Sequence, residues 1–355
     1  MKNIQQAEIA HKNVLVRVDF NVNLREGDVR QKYKMESAKE TIQYLLDQGA
    51  RTISLLSHLG RPDGKYNGND SLAHIVDDIR RILGVEVFFV GESVGERVKD
   101  VITHAGEGDI FLLENVRFHE EEEKNDDAFS LLLAEPFDIF VNDAFSVCHR
   151  AHSSTVGITK YIPVYAGFYL QKEIETLSRI RSGVESPSVA IVGGSKIETK
   201  LPLIQLFSRT FDVVLVGGRV ANEALDNKIE LPVNVIFPKD FEGDRFDIGE
   251  KTREIFIQEI QKAKTIVWNG PLGMFEDKRF SKGTFEIAKA IGESSAFSVI
   301  GGGESIEVLE DMSLLHTISF ISTGGGAMLE YLTGEHMPGL EVLKKDKNED
   351  VNEDK

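Results

Sequence analysis

The chain has 355 residues, of which 41% are hydrophobic and 28% charged, and its formal net charge is −17 at pH 7. This length exceeds one ordinary domain and suffices for two, and the negative charge argues against nucleic acid or an acidic membrane as a partner. No apolar run approaches the ~18 residues needed to span a bilayer, so no membrane segment is expected.

Short β-branched runs alternate with amphipathic segments in the first half of the chain. The predicted strands are 14–20, 52–58, 85–91, 109–116 and 138–145. Between them, the segments 35–46 and 72–83 have the pattern of helices. This alternation is typical of a parallel sheet that is covered by helices on both faces.

The second half repeats this plan after a predicted helix over 166–181 and the turn-rich segment 182–188, SGVESPS. Its predicted strands are 188–194, 212–218, 233–238, 265–270, 297–303 and 317–323. We therefore predict two doubly wound, Rossmann-like α/β lobes joined by a long helix, with a hinge cleft between them. The predicted segments are 1–165 for the first lobe, 166–186 for the interdomain helix and hinge, 187–334 for the second lobe, and 335–355 for a C-terminal return segment with a charged, solvated tail.

Anion-binding groups follow the predicted strands in both halves. Arg61, Arg117 and Arg150 come after strands of the first half, and glycine clusters at 193–194, 217–218 and 301–303 end strands of the second half. Ligands of open α/β sheets bind at strand ends. Guanidinium groups bind phosphate and carboxylate oxygens in pairs, and glycine turns that open helices offer backbone N–H groups to a phosphate. The pattern predicts two half-sites for two different anions.

Lys196 and Lys200 lie four residues apart in GGSKIETK, at the predicted start of a helix. This spacing places both ammonium groups on one helix face beside a glycine turn, which favours a polyphosphate ligand. The alternative is an exposed helix face with ordinary lysines. The chain has no P-loop motif, and Ile306 stands where the dinucleotide-binding fingerprint has its third glycine.

Other reactive side chains have simpler interpretations. His58, His149 and His152 lack the spacing of a zinc site. Cys148 is interpreted as a small buried hydrophobic residue, and the acidic run 120–123 as the solvated start of a helix.

Eight segments in one order resemble the phosphoglycerate kinase family: RVDFNV, SHLGRPDG, LLENVRFHEEEEKND, VNDAFSVCHRAHSSTVGI, GGSKIETK, VWNGPLGMFE, GGGES and STGGGAMLEYLTG. The resemblance runs from about Val14 to about Gly339. It implies a two-lobed kinase that transfers the acyl phosphate of 1,3-bisphosphoglycerate to Mg-ADP, giving ATP and 3-phosphoglycerate. The nucleophile of the reverse reaction is the carboxylate of the substrate, so the transfer needs positioning and cations and no general base.

The resemblance also implies roles for individual residues. The first lobe would bind the phosphoglycerate and the second the nucleotide with Mg²⁺. The implied catalytic residues are Lys34, Lys200 and Arg150; the implied phosphoglycerate-binding residues are Asp19, Asn21, His58, Arg61, Arg117 and Arg150; the implied nucleotide-binding residues are Lys196, Lys200, Glu276, Gly301, Gly302, Gly303, Glu304 and Ser305, with Glu304 linked to the magnesium of the nucleotide.

Three features depart from the family pattern. Lys34 occupies the position of a catalytic arginine and lacks its planar fork, and Glu304 replaces the magnesium-linked aspartate with a side chain one methylene longer. The chain also reaches the predicted strand at 233–238 through only DNKIE, where the family has a further helix and loop, and 239–249 is shortened as well.

We interpret the chain as a shortened phosphoglycerate kinase. The alternatives are a catalytically degenerate paralogue that binds phosphoglycerate or nucleotide in a regulatory role, which Lys34 and Glu304 favour, and a dehydrogenase, which the missing fingerprint disfavours. The polar first residues contain no apolar signal segment, and a single cysteine fits a reducing compartment. We expect a cytoplasmic monomer.

Overall fold

The computed structural model describes residues 1–25 and 28–344. The chain divides into two compact units, one comprising Met1–Ile174 with the segment that begins at His336, and the other comprising Glu175–Glu335. The division cuts a helix over Phe168–Ser182. The lobe boundaries predicted at 165 and 187 lie on either side of this helix and stay a prediction. The predicted charged tail lies outside the described residues from residue 345 onward.

The first unit is built on a parallel sheet. Its strands are β1 Asn13–Arg17, β2 Leu24–Arg25, β3 Asp28–Val29, β4 Thr52–Leu56, β5 Phe88–Val90, β6 Asp109–Leu113, β7 Ile139–Asn142 and β8 Val164–Ala166. Six of them form a parallel sheet in the order β5-β6-β4-β1-β7-β8, while β2 and β3 form an antiparallel pair. The strand order reverses between β1 and β7, which places a ligand-binding crevice at their carboxyl ends.

Helices cover this sheet, since a parallel sheet must bury both faces. They are α1 Tyr33–Ser37, α2 Lys39–Asp47, α3 Val76–Leu83, α4 Glu96–His104, α5 Glu120–Lys124, α6 Asp127–Ala134, the first part of α7 Phe168–Ser182, and α14 Pro338–Glu341, numbered after the helices of the second unit. All five residues of β4 are buried. Among the described residues, no helix is long and apolar enough to cross a membrane.

The second unit repeats the architecture. Its elements are β9 Ser188–Val192, α8 Ile197–Thr210, β10 Val213–Val216, α9 Gly218–Asp226, β11 Val235–Ile236, β12 Phe241–Glu242, β13 Asp247–Ile248, α10 Glu250–Lys262, β14 Thr265–Asn269, α11 Lys282–Glu293, β15 Phe297–Gly301, α12 Gly303–Asp311, β16 Phe320–Ser322 and α13 Gly326–Thr333. Its six-stranded parallel sheet has the order β11-β10-β9-β14-β15-β16, and β12 pairs with β13. The order reverses between β9 and β14, so the loops after these two strands flank the ligand crevice of this sheet.

The structure refines several elements that the sequence predicted. The helix predicted over 35–46 is two helices, α1 and α2, that meet at Ala38. The helix predicted over 72–83 begins with a 3₁₀ turn, Leu72–Ile75, and the Glu114 carboxylate accepts hydrogen bonds from Ser71 Oγ (2.6 Å) and Leu72 N (2.9 Å) at its start. The edge strand β8 was not predicted. Three residues carry too short a pattern to be distinguished from a loop.

Cys148 is buried, as predicted, and its thiol lies against Asn142 Nδ2 at 3.4 Å. Burial raises the pKa of this thiol to about 12. The thiolate is the reactive form, so we expect native Cys148 to react with a disulfide reagent far more slowly than the same cysteine in denaturant. Labelling followed by absorbance in both conditions measures the ratio. Equal rates would show that the thiol is accessible in the native state.

Candidate functional site

The phosphoglycerate-binding residues implied by the sequence lie at the carboxyl edge of the first sheet. Asp19 and Asn21 follow β1, His58 and Arg61 follow β4, Arg117 follows β6 and Arg150 follows β7. Since β4, β1 and β7 are neighbours in a parallel sheet, the loops after them meet at one edge.

Lys34 joins this cluster from the start of α1. Its Nζ lies 3.3 Å from Asp19 Oδ2 and donates a hydrogen bond to the Asn21 carbonyl at 2.8 Å. The Lys34 side chain is only 12% exposed. Asn21 Oδ1 accepts a hydrogen bond from Gly60 N at 3.0 Å, which ties this loop to the one after β4. The structure therefore brings the lysine at the arginine position next to two implied substrate-binding residues.

Three arginines add positive charge to the same edge. Arg117 is buried, donates to the Gly60 carbonyl at 3.4 Å, and lies 3.3 Å from Glu123. Burial lowers the pKa of Arg117, and Arg150 and Arg61 lower it further by repulsion. These two arginines are exposed, and Arg150 Nε contacts His149 Nε2 at 3.1 Å. Cations that repel one another at a strand edge favour a bound anion.

Two residues of this cluster were missed by sequence reasoning. Arg17 is fully buried at the end of β1, and Glu122 is fully buried on α5. Their side chains are bridged by Ser154 Oγ, which accepts from Arg17 Nε at 3.0 Å and donates to Glu122 Oε1 at 2.5 Å. The interpretation of 120–123 as a solvated run is wrong for Glu122, because this one side chain of the run points inward. An arginine inside the apolar run VLVRV was the available signal for Arg17.

A polar cavity of about 230 Å³ lies at the switch point of the second sheet. It is lined by Gly194, Ser195, Lys196, Thr199, Lys200, Asn269, Gly270, Gly302, Gly303 and Glu304. Lys200 Nζ donates a hydrogen bond to Asn269 Oδ1, and burial lowers the pKa of Lys200 to about 8. Asn269, at the end of β14, was not among the residues implied by the sequence.

The glycine cluster after β15 shapes one wall of this polar cavity. Gly302 has φ 92°, a conformation that favours glycine, and it is the N-cap of α12. Backbone N–H groups of the first helical turn are available to an anion there. Gly301 and Ser305 do not line the cavity. Ser305 is buried, and its Oγ accepts a hydrogen bond from Gly270 N at 2.8 Å.

A larger cavity of about 570 Å³ adjoins the polar one and shares Gly194, Ser195 and Glu304 with it. Glu276, implied as the ribose ligand, lines this larger cavity together with the exposed apolar side chains of Phe246 and Met274. Burial raises the pKa of Glu304, and the nearby Glu276 carboxylate raises it further. A larger chamber that mixes apolar and charged side chains, beside a smaller glycine-lined chamber with two lysines, has the shape and chemistry of a nucleotide site.

The sequence model of the family described as phosphoglycerate kinase matches residues 4–233 and 226–335. The chain belongs to the phosphoglycerate kinase family. The phosphoglycerate kinase of Borrelia turicatae is 39% identical over 391 aligned positions, which cover 97% of this chain and 100% of that protein. The phosphoglycerate kinase of Moorella thermoacetica is 38% identical, and the alignment covers 96% of this chain and 98% of that protein.

Solved structures of phosphoglycerate kinases are also similar to this chain. The phosphoglycerate kinase of Pyrococcus horikoshii has a TM-score of 0.86 at 30% identity, with 97% of this chain and 98% of that chain covered. The phosphoglycerate kinase of Coxiella burnetii has a TM-score of 0.78 at 32% identity, with 96% of this chain and 98% of that chain covered. The predictions of two parallel-sheet α/β regions and of a phosphotransferase of this family are confirmed.

The two stretches that match the family model meet at 226–233. This is where α9 ends at Asp226 and where the sequence predicts that a helix and loop of the family are missing. The chain proceeds from there to β11, which begins at Val235.

Proposed function

We propose that this chain is an active phosphoglycerate kinase, which transfers the acyl phosphate of 1,3-bisphosphoglycerate reversibly to Mg-ADP. The observation that supports this most strongly is the cationic cluster at the edge of the first sheet, at the positions of the family's motifs. Arg61, Arg117 and Arg150 lie in the segments that follow strands of this sheet, and Lys34 lies at the start of α1. Such a cluster suits an anion with a phosphate at one end and a carboxylate at the other.

The first unit binds and orients the phosphoglycerate in this proposal. Arg61, Arg117 and Arg150 bind its phosphate, and Asp19 and Asn21 orient its hydroxyl and carboxylate end. His58 supplies one further hydrogen bond. Lys34 adds a positive charge near the carboxylate that receives or donates the phosphoryl group, where negative charge is spread over the oxygens in the transition state.

The second unit binds the nucleotide. Lys196 and Lys200 bind its phosphates together with Gly302 and the first turn of α12, and Glu276 binds the ribose. We assign Lys200 to the transferring group, because its ammonium is half-buried and held at Asn269 whereas Lys196 is exposed. Gly301 and Ser305 contribute by shaping the turn between β15 and α12.

Magnesium enters as part of the Mg-nucleotide substrate. Glu304 fits a role near it, because its carboxylate lines both cavities and is raised in pKa by burial and by Glu276. A nearby dication would relieve this repulsion. Mg²⁺ commonly binds through one or two carboxylates, the phosphates of a nucleotide and several waters, so a single carboxylate such as Glu304 fits this role. The variant Glu304→Asp tests whether the extra methylene of Glu304 affects this role.

The proposed function is tested by an assay coupled to NADH oxidation, with 3-phosphoglycerate, ATP and Mg²⁺. We expect turnover that requires all three components. The degenerate-paralogue alternative predicts that calorimetry detects phosphoglycerate or nucleotide binding while turnover stays at background. Sedimentation of the purified protein tests our further proposal that it works as a monomer, and fractionation of its cells tests the proposed cytoplasmic location.

We expect Arg61→Ala and Arg150→Ala each to weaken 3-phosphoglycerate binding about tenfold, because each removes one charge-assisted hydrogen bond. Both side chains are exposed, so neither change leaves a buried gap. Calorimetry measures the affinity. Arg81→Ala on α3 is a matched control, because this exposed arginine pairs with Asp78 on its own helix. Unchanged affinity in both variants would contradict the assignment of the anion site.

A further inference from the structure

Arg17 is a fully buried cation that the proposed binding roles do not use. Its Nη1 donates to the carbonyls of Val18 at 2.9 Å and Leu56 at 3.3 Å, at the ends of β1 and β4. Its Nη2 lies 3.1 Å from His58 Nδ1. The guanidinium therefore reaches from the backbone of two neighbouring strands to the ring of His58.

Glu122 holds this guanidinium indirectly, through the Ser154 hydroxyl at Arg17 Nε. The Glu122 carboxylate accepts hydrogen bonds from the Ser154 hydroxyl at 2.5 Å and the Ser154 N–H at 2.9 Å. The same hydroxyl accepts from Arg17 Nε at 3.0 Å. Glu122 favours the charged form of Arg17, whose pKa burial lowers to about 10. At neutral pH the guanidinium is thus still a cation with its planar group held in one orientation.

This geometry determines the tautomer of His58. A guanidinium has only donors, so a hydrogen bond between Arg17 Nη2 and His58 Nδ1 requires that Nδ1 carry no proton. The proton of a neutral ring is then on Nε2. Among the described residues, Arg17 is the only hydrogen-bond partner of the His58 ring.

The charges around His58 act in the same direction. Burial lowers the pKa of His58 well below its ordinary value, and Arg17, Arg117, Lys34 and His152 lower it further. Glu122 faces Arg17 and Ser154, and Asp19 faces Lys34. The ring is therefore neutral at neutral pH.

We propose that Arg17 is a positioning residue that holds His58 as the neutral imidazole with its proton on Nε2, so that His58 serves only as a hydrogen-bond donor to an anionic oxygen of the substrate. This inference rests on the proposed function, which supplies phosphoglycerate as the anion. A free imidazole has two tautomers and can accept as well as donate. Fixing one tautomer removes the form that would repel an oxygen anion.

The direct test is a nitrogen–proton correlation spectrum of the protein labelled with ¹⁵N-histidine, recorded without ligand from about pH 6 to about pH 9, which brackets an ordinary histidine. Loss of one resonance set in His58→Gln assigns His58. We expect an unprotonated Nδ1 and a protonated Nε2 throughout. A protonated Nδ1, or titration in this range, would overturn the proposal. This spectrum needs no variant of Arg17 and no activity.

Arg17→Lys tests the link to substrate binding, because it keeps a cation and loses the fixed fork. We expect mixed tautomers, an approximately tenfold higher KM for 3-phosphoglycerate, little change in kcat, and a KM that now depends on pH. Arg253→Lys is the matched control, since Arg253 is also a buried arginine, in the second unit, where it pairs with Glu242 and Glu286. It should leave the His58 spectrum and this KM unchanged.

The outcomes separate the two proposals. An unchanged His58 spectrum in a folded Arg17→Lys protein would show that Arg17 does not set the tautomer. If Arg17→Lys does not fold, Ser154→Ala removes only the bridge to Glu122 and should shift the tautomer population partly, and a spectrum identical to the wild type would count against the network. A pure Nε2–H tautomer in a wild type without kinase activity would support the tautomer assignment and contradict the proposed function.

Discussion

Lys200→Ala is expected to lower turnover by about a hundredfold to a thousandfold, which is the usual effect of removing one preorganised group that stabilises transition-state charge. The Lys200 ammonium is half-buried in the polar cavity, where it is held by Asn269 and attracted by Glu304. Charge interactions are stronger in such a site than in open solvent. Steady-state kinetics with saturating ATP and 3-phosphoglycerate measure the loss.

Lys196→Ala is the matched control for this prediction. Lys196 lines the same cavity, but it is exposed at the N-cap of α8. Its removal should raise the KM for the nucleotide more than it lowers kcat, because an exposed ammonium contributes mainly to binding. If Lys200→Ala and Lys196→Ala have the same effect on kcat, Lys200 has no special place at the transferring group.

The pKa of Lys200 gives this prediction a pH dependence. Burial lowers this pKa to about 8, so Lys200 is positively charged below that pH and loses its charge as the pH rises through it. We expect kcat/KM for the nucleotide to fall above about pH 8, with the fall moved to higher pH in Lys200→Arg, whose guanidinium stays charged. A flat profile in the wild type up to about pH 10 would contradict this assignment.

The sequence predicted those parts of the site that depend on local patterns. Arg61 and Arg150 follow apolar runs, and Gly302 follows another, so their place at strand ends could be inferred from periodicity alone. The family resemblance added the roles of single residues. It also located the missing segment near Asp226, where the match to the family divides.

The rest depends on contacts between residues far apart in the chain. Glu122 belongs to an acidic run whose pattern predicts a solvated helix start. Its buried carboxylate is stabilised by Ser154, which is 32 residues away in the chain. Ser154 also accepts a hydrogen bond from Arg17, which is 137 residues away from Ser154. The position of Asn269 beside Lys200 depends on the pairing of β14 with β9. Such pairings are set by the tertiary fold and leave no periodic signal.

The second large effect is expected at Lys34, where the chain departs from its family. Lys34→Ala should lower kcat by about a hundredfold, since under the proposed function it removes a largely buried charge close to the transferring group. It also leaves the buried Asp19 carboxylate without the ammonium that now lies 3.3 Å away. Lys34→Arg should keep or raise kcat with little change in either KM, because a guanidinium can donate to two oxygens at once. Single-turnover and steady-state kinetics separate these effects on chemistry and binding.

Lys39→Ala controls for the loss of a positive charge on the same stretch of chain, since Lys39 is exposed at the first position of α2. It should leave kcat unchanged within about twofold. Asp19→Asn removes the negative charge that Lys34 faces. If the double variant Lys34→Ala, Asp19→Asn has a higher kcat than Lys34→Ala alone, the loss of kcat came from the uncompensated Asp19 carboxylate. If turnover survives Lys34→Ala without any second change, Lys34 does not lie at the transferring phosphate. Arg30, four residues upstream, is then the cation to replace, because it is the nearest arginine in the chain to the position that the family's motif assigns to one.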